Sequence, residues 1–224
     1  MRRRVCLGLL LAFPLAACIS SPAQLAKTDI DRVAEAHRRE VLGSLRLLAE
    51  KLYRRNPREW KKGGHESLDV AVARIFDPGL SWRLPELEGR RGTEVLLLAF
   101  REDFAGDRVA AFVGGLGDML HTAFDGKTEF FVIDDLDPQK LHNSARNVEI
   151  AVWKLSSARN AAGMPLLLSN DMGGSTPNLS FEREFGKIIG SLDTLSKIIA
   201  DKTNRTVVKV IQTMATAVFL PVGL

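Results

Sequence analysis

The 224 residues include only two cysteines, one tyrosine, three tryptophans and four histidines, and each scarcity removes a class of chemistry. Two thiols, Cys6 and Cys18, cannot build the disulfide framework of a small secreted module. The histidines are scattered. His65-Glu66-Ser67-Leu68-Asp69 starts like a zinc-protease motif, but Asp69 stands where a second histidine would close the metal pair. There is no Gly-x-Ser-x-Gly elbow and no Gly-x-x-x-x-Gly-Lys-Ser/Thr loop, and Gly115-Leu116-Gly117 lacks the third glycine of a dinucleotide fingerprint. No apolar run approaches the roughly 20 residues of a membrane-spanning helix. Surplus charge is also scarce. The net charge of +4 falls to +1 once Arg2, Arg3 and Arg4 are set aside, because residues 1–17 hold no acid. A folded part so nearly neutral lacks the cationic footprint of nucleic-acid binding.

What is present begins with those three arginines, the apolar run from Val5 to Ala17, and Leu15-Ala16-Ala17-Cys18. Basic head, short apolar core and small residues before a cysteine, in that order, resemble a bacterial lipoprotein signal peptide. The resemblance implies that residues 1–17 are removed, that the Cys18 thiol takes a diacylglycerol, and that the new amino end is acylated. Cys18 would then be the sole cysteine of the mature chain, its sulfur held in a thioether, with the covalent lipid the only added group and no other cofactor. Ile19 follows the cysteine; in the lipoproteins of two-membrane bacteria an aspartate there favours the inner membrane, so isoleucine leans towards the outer one. Residues 18–27 read as lipidated cysteine and polar tether, and 28–224 as a single domain. That domain resembles small proteobacterial lipoproteins, a resemblance of type that carries no activity with it.

The spacing of apolar residues predicts a mainly all-α fold, a bundle of about five to seven helices with long ordered loops and room for one short β segment near 128–133. Thr28 before Asp29 and Asp31 reads as a capped start, and Ile30, Ala34, Val41, Leu45, Leu48 and Leu52 recur at helical spacing until Asn56-Pro57. His37 on that stripe reads as a packed, hydrogen-bonded side chain. Further helices are expected from Ser67 to Phe76 and from Thr93 to Phe100, the latter apolar on all sides and so central. Others start after Asp107, after Asp137-Pro138, and from Ser180 with Glu182 and Glu184 in its first turn. Gly114 and Gly115, each four residues after an alanine, suggest close approach of a neighbouring helix, with a backbone-lined cleft as the rival. Leu166-Leu167-Leu168 is expected to tuck against the core. Residues 207–220 read first as a packed terminal helix and second as a membrane-contacting one. Asp134, Asp135 and Asp137 lack the spacing of a calcium loop.

The most unusual composition lies between 51 and 62, where Lys51, Arg54, Arg55, Arg58, Lys61 and Lys62 fall within a dozen residues with Tyr53 and Trp60 interleaved. Cations beside amphipathic aromatics suit a surface that meets anionic headgroups or an acidic wall polymer. The plainer reading is a solvated helix end, where the helix dipole favours cations. The function expected is a non-enzymatic binding or scaffold module of the cell envelope. It would be anchored to the membrane through Cys18, face the periplasm, have an envelope protein or cell-wall partner, and bind no nucleic acid. The alternatives are an envelope hydrolase using acids such as Asp134 or Asp135, and a lipid carrier with an apolar cavity.

Overall fold

A computed structural model describes residues 27–131, 134–171, 177–209 and 218–223. The lipobox-like stretch therefore lies outside the described residues. Within them the chain is an all-α single-domain bundle of seven α-helices: α1 (Asp29–Arg55), α2 (Pro57–Lys62), α3 (Leu68–Ile75), α4 (Gly92–Leu98), α5 (Arg108–Ala123), α6 (Pro138–Ser157) and α7 (Ser180–Thr203). No helix among the described residues is long and apolar enough to cross a membrane.

Helix starts follow from side-chain oxygens that take up the orphan amides of the first turn. Thr28 and Asp31 form a reciprocal capping box on α1, Ser67 accepts from Val70 N–H, and Asp107 accepts from Val109 and Ala110. Asp137 caps α6 with Pro138 at its first position. Helix α1 buries Val41, Leu45, Leu48 and Leu52 against α5 and α7, while α6 packs along α7 and α4 along α5.

Helix α5 occupies the centre, with every residue except His121 and Thr122 buried. This corrects the expectation for 93–100: α4 buries Val95, Leu96 and Leu98 but leaves Leu97 at 42% exposure. The small residues of α5 explain the exchange of places. A Cβ on Gly115 would stand 2.6 Å from Leu96 N and 2.8 Å from Gly92 O, one on Gly117 would overlap the Trp82 ring, and one on Gly114 would press on Leu84. Close packing by protein atoms fills the space a backbone-lined cleft would need.

Three expectations change. Residues 128–131 form no strand, because the Phe130 N–H donates to Glu35 and the Phe131 N–H to Asp134 while Phe130 packs into the core; positions 132–133 lie outside the described residues. Of Leu166-Leu167-Leu168 only Leu167 is buried, and Leu168 stays 45% exposed. The described ends of 207–220, residues 207–209 and 218–220, are not helical. Their backbone is taken by side-chain amides instead: Gln139 bonds both N–H and C=O of Val208, and Asn147 both N–H and C=O of Leu220. Asn56 holds Leu168 in the same two-way manner, at 2.8 Å for each bond.

Candidate functional site

Arg54 and Arg55 end α1, Arg58 sits in the first turn of α2, and Lys61 and Lys62 end it. The intervening Asn56 breaks the helix with φ −125° and ψ 64°, since the residue before a proline is driven out of the α region. These five cations of the sequence reading therefore gather on one corner. Trp60 is different in kind: it is half-buried and packed against the core, with Lys61 Nζ 5.4 Å from its ring centroid.

The corner is fixed from beneath by a buried polar network. Glu59, 7% exposed, accepts the Arg108 backbone N–H through Oε2 at 2.8 Å and Lys62 Nζ through Oε1 at 2.7 Å. Tyr53 donates its hydroxyl to Asp107 Oδ2 at 2.7 Å. The Arg108 guanidinium turns inward to the carbonyls of Ala99, Arg101 and Glu102. Burial pushes the Asp107 carboxyl above its usual range and the Glu59 charge adds to this, while the Ala110 and Val109 N–H groups and the Tyr53 hydroxyl oppose it. Burial, the Asp107 charge and the bond to Asp107 also push the Tyr53 phenol up, so it stays protonated as the donor.

The cations differ in how far they are matched. Lys62 is paired with Glu59, and Arg55 meets Asp171 at 3.5 Å. Arg54, Arg58 and Lys61 are exposed and have no carboxylate within ion-pair distance among the described residues. Lys51, part of the same run in the sequence, lies 4.7 Å from the Phe181 ring centroid on α7, and the structure adds two members there that sequence proximity hid. Arg183 and Lys187, one helical turn apart there, share the buried Glu184, expected in the first turn for its dipole and found instead as their counter-ion. Burial lowers the Lys51 pKa, the Arg183 and Lys187 charges lower it further, and Glu184 opposes them.

The other residues considered for chemistry are occupied. Asp134 holds Lys127 and the Phe131 N–H, and Asp135 holds Arg205 at 2.7 Å. His37 Nδ1 meets Ser191 Oγ at 2.7 Å, a packed and hydrogen-bonded histidine as expected. An open groove of about 570 Å³ runs between Arg91, Asp118 and Thr122 on one wall and residues 219–223 on the other. Its carboxylate, Asp118, already accepts the Gly92 N–H and the Arg91 guanidinium. No known protein family, curated protein or solved structure matches this chain.

Proposed function

We propose that this chain is a membrane-anchored lipoprotein of the cell envelope, lipidated at Cys18, probing an anionic surface with a non-enzymatic helical binding module that faces the periplasm. The residues Leu15 to Cys18 support the anchor, and Ile19 favours the outer membrane. The observation that carries the binding role is the corner of α1 and α2, where Arg54, Arg58 and Lys61 stand exposed with no carboxylate partner among the described residues, over a backbone tied down by Glu59. A solvated helix end needs no such mooring. Unmatched cations on a fixed frame offer charge at little cost in ordering, which is what recognition of an acidic surface requires.

Each exposed contact to such a surface is worth up to about 1 kcal/mol and weakens as salt screens it. Reversing Arg54, Arg58 and Lys61 to glutamate is expected to abolish cosedimentation of the lipid-free chain with anionic vesicles and wall preparations at low salt. Trp60→Ala should cost less, through lost packing. Binding that is absent from the unaltered chain, or indifferent to the reversals, overturns the binding role. The anchor has its own check: Cys18→Ser should leave the precursor unprocessed and unlabelled by palmitate, and a labelled mutant overturns lipidation.

A further inference from the structure

What stands beside the cations narrows the acidic surface to a lipid one, an inference that rests on the binding role proposed above. Two leucines from the segment before α7 are exposed at the corner, Leu168 at 45% and Leu179 at 50%. Asn56, between Arg55 and Pro57, holds Leu168 there: its Nδ2 donates to the Leu168 carbonyl and its Oδ1 accepts the Leu168 N–H. Leu179 follows Asn178, whose backbone pairs both ways with Asp171, and Asp171 meets Arg55. The bonds that fix these positions do not use the leucine side chains. Leu168 is held by its backbone, and the first amide of α7, Ser180 N–H, is taken by Asn178 Oδ1 at 3.1 Å, so Leu179 has no part in capping.

Charge at the corner is layered. Glu59 and Glu184, the counter-ions of Lys62, Arg183 and Lys187, are 7% and 2% exposed, so these acids lie inward and the cations outward. The opposite pole of the bundle, where Lys202 comes beside Ile30 and Asp31, also carries exposed Lys202, Lys209 and Val208. There the acids Asp29, Asp135 and Asp201 are exposed as well and break up the positive field. A hydrated polysaccharide offers nothing for a leucine to enter. A bilayer interface offers phosphates to the arginine forks and ammonium groups, and hydrocarbon to apolar side chains standing among them.

We infer that the corner docks on an anionic lipid bilayer, with Arg54, Arg58 and Lys61 on headgroup phosphates and Leu168 and Leu179 entering the acyl boundary. The chain from Ile19 onward holds every described residue and no cysteine. A polarity-sensitive dye can therefore be placed on Leu179→Cys or, at the opposite pole, on Val208→Cys. With vesicles of phosphatidylglycerol and phosphatidylcholine, blue-shifted emission and quenching by brominated acyl chains are expected at 179 and neither at 208. Cosedimentation should fall at least tenfold in R54E/R58E/K61E, in L168S/L179S, and with phosphatidylcholine alone, and should stay within about twofold in K202E/K209E. The leucine variant should keep the thermal midpoint of the unaltered chain, which separates lost insertion from lost folding. Vesicle binding that ignores the leucine pair, an equal dye response at 208, an equal loss in K202E/K209E, or capture by purified wall sacculi but not by vesicles overturns the inference and leaves the anionic-surface role standing. A chain that binds neither vesicles nor sacculi overturns both.

Discussion

The Tyr53 hydroxyl reaches the Asp107 carboxylate at 2.7 Å and so joins the last turn of α1 to the cap of the central helix α5. That single bond couples the frame of the cationic corner to the core. Asp107 sits above its ordinary value of 3.8 because burial raises it, and the tyrosine is one of the groups holding it down.

Tyr53→Phe is therefore expected to destabilise the fold by about 1–2 kcal/mol at neutral pH, and the loss should depend on pH. A folded-state pKa above the unfolded value means that the folded chain keeps its proton longer, so stability declines as pH rises from about 4 through the folded value. Removing the tyrosine raises that folded value further. The penalty should be small at pH 3, where Asp107 is protonated in both states, and full at pH 7. Urea unfolding at the two pH values checks this; an equal loss at both would show that Asp107 does not ionise against the tyrosine.

Gly117→Ala should cost about 1–3 kcal/mol, the usual penalty of overpacking, because the new methyl meets the Trp82 ring. Trp82 already holds a left-handed backbone with φ 65° and stacks edge-on to Phe76. Its ring has little freedom to withdraw. Thermal unfolding measures the loss, and restored stability in Gly117→Ala with Trp82→Leu would confirm that the ring is the obstacle.

Asn147→Ala removes both bonds to Leu220 from a side chain that is fully buried. The expected loss is about 1–3 kcal/mol, since the tail backbone leaves its partners while Val222 loses its seat in the core. Hydrogen exchange at Leu220 should accelerate far more than exchange in α7. Uniform acceleration would mean that the tail unfolds only with the whole domain.

Helix starts were legible because capping is local chemistry: Thr28, Ser67, Asp107 and Asp137 stand within three residues of the amides they accept. The span of α1 and the stripe of α7 were legible for a related reason, their apolar period running over several turns. Helix α2 was not, because six residues are too few to show a period. Glu59 reads as one more charge in a charged run, yet it is buried beneath it. Arg183 and Lys187 join the corner only because α7 returns alongside α1, a placement no local spacing announces. The described ends of the tail, residues 207–209 and 218–220, depart in the same way: apolar composition favours a helix, and the amides that take up the backbone there lie more than 60 residues upstream, Gln139 for Val208 and Asn147 for Leu220.

The amides of Asn56, Gln139 and Asn147 have a consequence for how this chain behaves in a crowd. Leu168 is 45% exposed and Val208 66% exposed, in non-helical chain of the kind that invites pairing with a neighbour through free backbone groups. At both residues, and at Leu220, the N–H and the C=O are already engaged by one side chain. A glutamine or asparagine there acts as a private partner strand one residue long. Solubility at these sticky positions is thus guarded by hydrogen bonds rather than by charge, and it would be lost first wherever deamidation turned such an amide into a carboxylate that repels the carbonyl it once held.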